Sequence, residues 1–173
     1  RQSALDDQVS RQDRRRLWVL FGEVFVPMAQ DFLGNARDVH CVGRYAPNGV
    51  ESAATINVAY VGGGTAALTC GFDVHGPGRM IILGTKGWVE VQPRFHHPTT
   101  ISVHRSGVLP RIIEAKQIGR GYAHELMEVS DCLLAGQTQS ATMPLSDTVE
   151  VMRVLESCLT QLGRPQEEAQ VAI

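Results

Sequence analysis

The stretch from about residue 38 to 114 decides most of what this chain can become. It reads DVHCVGRY, AATINVAYV, TAALTCGFDV, RMIILG, WVEVQ, TISVHR and VLPRIIEA, seven short segments rich in β-branched residues and parted by Gly, Pro and Asn. The gaps between them are too short for crossover helices, so successive strands must run antiparallel.

On both sides of this stretch the period changes to that of a helix. Before it, Leu17, Leu20, Phe21, Val24, Met28, Phe32 and Leu33 share one helical face over 15–33, which Gly34 ends. After it, GYAHELMEVSDCLLAG places Leu126, Val129, Cys132 and Leu133 together and stops at Gly136, giving a helix near 121–135. A last helix near 146–162 repeats Thr148, Met152, Leu155, Leu159 and Leu162 and is closed by Gly163 and Pro165. Asp147, with Glu150 three residues on, has the spacing of an N-terminal capping pair. The expected class is α+β, a predominantly antiparallel open-faced sheet with helices packed on one face. The organisation that follows is a flexible or truncated entry segment over 1–14, one domain over 15–163 and a tail over 164–173.

Composition narrows the function classes. A chain of 173 residues can bury a single core, and its net charge of −2 gives no electrostatic reason to expect nucleic acid as a partner. Cys41, Cys70, Cys132 and Cys158 lie far apart, with no paired spacing and no histidine at ligand distance, so neither zinc nor a disulfide framework is signalled. Free thiols in a cytoplasmic protein are expected. Arg11 and Arg14 to Arg16 precede an apolar run in the order of a targeting signal, but Glu23 interrupts the run, which is too short to span a bilayer. The chain begins with Arg1, which fits a longer translated product that has been trimmed.

Two glycine clusters raise the question of a phosphate cradle. A phosphate loop needs its glycines and lysine to open a helix, so that backbone amides converge on the anion. Gly84-Thr85-Lys86-Gly87 is followed by the strand WVEVQ, and Gly62-Gly63-Gly64 also lies between strands, so both read as turns. No cofactor-binding residue and no metal ligand is assigned. The candidate substrate contacts are His96, His97, Tyr122 and His124. His96 and His97 are adjacent in a segment read as extended, where side chains diverge, so a shared metal is disfavoured. Tyr122 and His124 open a helix, where Glu125 is accounted for by the helix dipole. Glu128 and Asp131 read as a solvated face, and Trp88 as a core or interface residue.

Three blocks carry a family resemblance: GVESAATINVAYVGGGTAALTC, IILGTKGWVEVQPRFHHPTTISVH, and the segment from Gly121 to Gly163 with its ordered Gly, Glu, Gly and Pro-Leu landmarks. Together they resemble the C-terminal domain of the Gfo/Idh/MocA oxidoreductase family, on the branch of dihydrodiol and NADP-dependent xylose dehydrogenases. The resemblance runs from about Leu17 to Gly163. It implies an NAD(P)-dependent enzyme acting on sugars or dihydrodiols, whose separate Rossmann domain holds the cofactor and the catalytic lysine. Leu20 and Val24 stand where that family carries its aspartate and its tyrosine or histidine, while Gly22, Ala29, Leu33 and Gly34 fit. No catalytic residue is therefore assigned. The alternative is an inactive relative, kept as a binding or dimerisation module.

A sheet covered on one face leaves the other bare, and a homodimer through that open face is expected. Ala54, Ile56, Val58 and Tyr60 lie on one parity and Ala53, Thr55 and Ala59 on the other, with Val58 taken as a test residue for the interface.

Overall fold

The computed structural model describes residues 25–47, 49–73, 75–119 and 122–163. The entry segment, the tail and the positions of Leu20 and Val24 lie outside them. In chain order the described elements are α1 (25–33), β1 (Ala36–Tyr45), β2 (Glu51–Tyr60), β3 (Thr65–Gly71), β4 (Met80–Gly84), β5 (Gly87–Val91), β6 (Thr100–Arg105), β7 (Val108–Glu114), α2 (Ala123–Leu134) and α3 (Leu145–Leu162). Every strand pairing is antiparallel, and the class is α+β as expected. The strands form two sheets, β1-β2-β3 and β4-β5-β6-β7, in two compact units.

The first unit joins the chain up to His75 with the chain from Pro144 onward. Its burial follows strand period with little deviation: along β2, Ser52, Ala54, Ile56, Val58 and Tyr60 are buried, while the residues between them are half-buried or exposed. The buried parity meets Val26 of α1 and Val151, Val154, Leu155 and Cys158 of α3 in one hydrophobic core. Val58 therefore belongs to the helix-covered face. The open face carries Val42, Thr55, Asn57, Ala67 and Thr69, smaller and more polar, with Thr55 and Thr69 hydroxyls 3.4 Å apart across the strands.

The face that α3 buries differs from the expected one. Val151, Val154, Leu155 and Cys158 are buried, whereas Met152 and Leu159 are partly exposed and Thr148 is exposed. Both stripes are apolar at helical spacing, and polar anchoring to β1 fixes which of them turns inward. Gln161 Oε1 accepts the Cys41 backbone N–H at 2.9 Å, while its Nε2 donates to the Val39 carbonyl at 2.8 Å. Arg153 Nη2 donates to the Ala36 carbonyl at 2.8 Å, and the Tyr45 hydroxyl donates to the Gly163 carbonyl. Gln161 and Arg153 thus occupy backbone groups that the edge strand β1 would otherwise leave open, and Tyr45 ties β1 to the end of α3.

The expected capping pair is replaced as well. The helix starts at Leu145 with Pro144 at its N-cap and no side-chain cap bond, so Asp147 already lies inside the first turn. Glu150 instead pairs with Arg153, at 2.5 Å and 2.8 Å.

The second unit spans Gly76–Met143. Its sheet is a meander of two hairpins, with β5 and β6 as the central pair. Thr85 and Lys86 form the turn between β4 and β5, so the Gly/Thr/Lys cluster is a hairpin tip. Only one of its glycines has a positive φ: Gly87 has φ 150°, while Gly84 does not. A β-carbon on Gly87 would run into the His104 backbone carbonyl, so glycine also permits the close approach of the two hairpins. The helix α2 forms where its period places it and is followed by Gly136 at φ 68°, yet none of its residues is buried. Glu128 does not sit on a freely solvated face. It accepts the Ser140 hydroxyl at 2.5 Å and faces the Cys132 thiol at 3.6 Å, and Ser140 Oγ in turn accepts the Thr142 and Met143 amides.

Candidate functional site

The expected substrate contacts all belong to the second unit: His96 and His97 follow β5 at the sheet end opposite the hairpin tips, and Tyr122 and His124 follow β7 at the start of α2. At that sheet end β4 begins, β5 ends, β6 begins and β7 ends, so four loop segments converge. Phe95 N–H donates to the Gly78 carbonyl at 3.1 Å, Ala115 N–H to the Thr99 carbonyl at 2.8 Å, and Gln117 Nε2 to the His97 carbonyl at 3.1 Å. These bonds tie the segment after β5 to those flanking β4, β6 and β7.

His96 and His97 lie in a turn and not in an extended segment. Arg94 adopts φ 64°, and His97 N–H folds back to its carbonyl at 2.6 Å. Buried Phe95 anchors the turn, with the His96 ring edge-on to it at 5.7 Å between centroids. His96 is exposed, and His97 is half-buried with its Nε2 enclosed and unpartnered among the described residues. Tyr122 is the exposed N-cap of α2, giving no side-chain cap bond, and His124 is exposed in the first turn of the helix. No hydrogen bond joins the histidine pair to Tyr122 or His124 among the described residues. Each of these imidazole and phenol groups can donate or accept hydrogen bonds. Among the described residues no group of three or more His, Cys, Asp or Glu is placed to hold a metal ion.

In the first unit, a group of thiols and one phenol lies in or against the core. Cys41 and Cys158 face each other as a thiol pair: hydrogen bonding from Cys158 lowers the Cys41 pKa, and the same contact together with burial raises that of Cys158. Burial also raises Cys70 and Tyr60, whose hydroxyl finds no partner among the described residues.

A dinucleotide would need a glycine-rich strand exit that opens a helix. Both glycine clusters join antiparallel strands here, and α2 and α3 begin at Tyr122 and Pro144, so the described residues do not form such a cradle. No described helix is long and apolar enough to cross a membrane.

Reading along the sequence missed the other end of this sheet. Trp88 and His104 are cross-strand partners whose rings stack at 3.5 Å and 3°, beside a cavity of about 470 Å³. The signal available was the strand register, which sets the two hairpin tips side by side.

No family model matches the chain. Among known proteins, it is 29% identical over 120 residues to trans-1,2-dihydrobenzene-1,2-diol dehydrogenase of Xenopus tropicalis, covering 66% of this chain and 36% of the relative. With the human enzyme of the same name it shares 28% over 130 residues, covering 72% and 39%. The chain thus spans well under half the length of these relatives. Among solved structures, the aldose-aldose oxidoreductase of Caulobacter crescentus, complexed with glycerol, matches with a TM-score of 0.65 at 22% identity, over 79% of this chain and 42% of that one. An oxidoreductase of Agrobacterium radiobacter in complex with NAD+, L-tartaric acid and magnesium matches with 0.64 at 17% identity, over 79% and 44%. Sequence likeness and shared fold agree: the chain is similar to dihydrodiol dehydrogenases and shares the fold of solved oxidoreductases, in each case over only part of the relative, which is consistent with a C-terminal domain of the Gfo/Idh/MocA kind.

Proposed function

We propose that this chain is the substrate-binding and dimerisation portion of an NAD(P)-dependent oxidoreductase acting on a sugar or dihydrodiol, and that it is not catalytic by itself. The observation that carries the reading is the match over 120 and 130 residues to two enzymes named for a dihydrodiol. A related fold complexed with glycerol supports a polyol ligand, and neighbours solved with NAD+ or NADP support the cofactor, which would be held outside the described residues. Tyr122, His124, His96 and His97 are the groups assigned to the substrate's hydroxyls. The dimer would form through the open face of β1-β2-β3, which carries Val42, Thr55, Asn57, Ala67 and Thr69, since a two-fold interface needs only self-complementarity.

Titration with trans-1,2-dihydrobenzene-1,2-diol and with xylose, followed by the ring NMR signals of these four residues, tests the first part. Saturable shifts with at least one ligand are expected, and four unmoved side chains would reject the assignment. The chain alone should give no NADPH from either compound with NADP present. Steady reduction would show that it is catalytic after all. For the dimer, light scattering should give twice the 18.9 kDa chain mass and fall to the single mass on Thr55→Arg. A wild-type monomer at micromolar concentration would refute that interface.

A further inference from the structure

The two hairpins of the second unit end side by side. Thr85 and Lys86 turn β4 into β5, Ser106 and Gly107 turn β6 into β7, and the pairing of Trp88 with His104 brings both turns to one end of the sheet. Between them lies the cavity of about 470 Å³, lined by Thr85, Lys86, Gly87, Trp88, His104, Arg105 and Ser106. Such a volume falls among small-molecule sites, which range over roughly 300–1,000 Å³. It exceeds the needs of a bare inorganic ion.

The lining has one sign. Lys86 and Arg105 bring two positive charges, Thr85 and Ser106 bring hydroxyls, and no carboxylate is among the lining residues. Among the described residues the ion pairs are made by Arg37, Arg44, Arg79 and Arg153, so neither Lys86 nor Arg105 is neutralised. His104 Nε2 is enclosed beside the cavity with no hydrogen-bond partner among the described residues. Two unpaired cations on a chain whose net charge is −2 form a local field opposite to that of the whole. Trp88 adds a flat apolar wall, stacked against His104 and held in register by the sheet. Gly87 keeps the tips close, since a larger residue would collide with the His104 carbonyl.

We infer that this cavity binds a small organic oxyanion, a ring compound bearing a phosphate or carboxylate group, with the anion between Lys86 and Arg105 and the ring against Trp88. The site is made by side chains of two hairpin tips and not by a helix N-terminus, so it is compatible with the turn conformation of the Gly/Thr/Lys cluster. It goes beyond the proposed oxidoreductase role and does not rest on it.

The test is an NMR titration of the full chain with phenyl phosphate, benzoate and inorganic phosphate, following the Trp88 indole N–H, assigned with a Trp18→Phe variant. Phenyl phosphate or benzoate should shift the signal saturably, and whichever does so at lower concentration identifies the anion. Inorganic phosphate should bind about tenfold more weakly, since it leaves the Trp88 wall unused. Lys86→Ala and Arg105→Ala should each weaken binding by about tenfold or more. Lys116→Ala should leave it unchanged, and unaltered amide spectra would show that the tip variants remain folded. Loss of binding in Lys116→Ala as well, equal binding in the tip variants, or the absence of saturation with both ring compounds would overturn the inference.

Discussion

Replacing Val154 by alanine should destabilise the first unit by about 2 kcal/mol, whereas Met152→Ala should cost under about 1 kcal/mol. The two residues lie two positions apart on α3, 1% and 45% exposed. Val154→Ala removes two methyl groups from the core that holds Ile56, Val58, Leu155 and Cys158. At about 0.8 kcal/mol per buried carbon, the transfer loss is about 1.6 kcal/mol, and the cavity left behind adds to it. Met152 loses more atoms, but they are half in water already and their neighbours can close in. The apolar repeat of Thr148, Met152, Leu155 and Leu159 predicts the opposite order. A urea series with pulsed thiol labelling, read by peptide mapping at Cys158, follows this unit, because Cys158 is 0% exposed and reacts only when α3 leaves the sheet. With a slope of about 2 kcal/mol per molar urea, Val154→Ala should move the labelling midpoint down by about 1 M. A Met152→Ala shift as large or larger would refute the assigned face.

Three further outcomes follow from the same geometry. Glu150 has its pKa lowered chiefly by hydrogen bonding from Arg153, so it contributes stability above its unfolded pKa that is lost as pH falls through the folded value. Glu150→Gln should therefore cost under about 1 kcal/mol at pH 7, discounted because Arg153 is largely solvated, and nothing once both carboxylate states are protonated; thermal melts from pH 7 down to below 4 check this. Tyr60→Phe should be neutral or stabilising by up to about 1 kcal/mol in urea unfolding, since it removes a buried hydroxyl that has no partner among the described residues. Gly87→Ala should destabilise the β5 and β6 pairing by more than about 1 kcal/mol, seen as faster hydrogen exchange at Val89 and Val103, because the obstructing atom is backbone and cannot rotate away.

The elements were legible because each has a strong period and clear punctuation. Among the described residues seven strands appear close to where β-branched alternation places them, and Gly34, Gly136 and Gly163 follow the described helices with positive φ. What one element buries was harder to read. On α3 two apolar stripes overlap, and the choice depends on Gln161 and Arg153 reaching backbone groups of β1, far away in sequence. The parity of Val58 was open for the same reason: a strand apolar on one face announces a core, but not which layer supplies the cover. Of the candidate site, the residue types were legible and the local shape was not. Arg94 at φ 64° bends the segment that carries His96 and His97, and nothing in its composition predicts a positive φ at arginine.

The Gly/Thr/Lys cluster shows what a linear motif leaves out. Read along the chain, it poses one question, whether a single loop can cradle a phosphate with its own amides, and the strand on either side answers no. Read across the sheet, it poses another, because antiparallel pairing sets Lys86 beside a second tip that contributes Arg105 and Ser106. Neither tip alone encloses a volume or concentrates charge. Their proximity depends on Gly87 having no side chain against the His104 carbonyl, so this glycine matters less for the turn it follows than for the neighbour it admits.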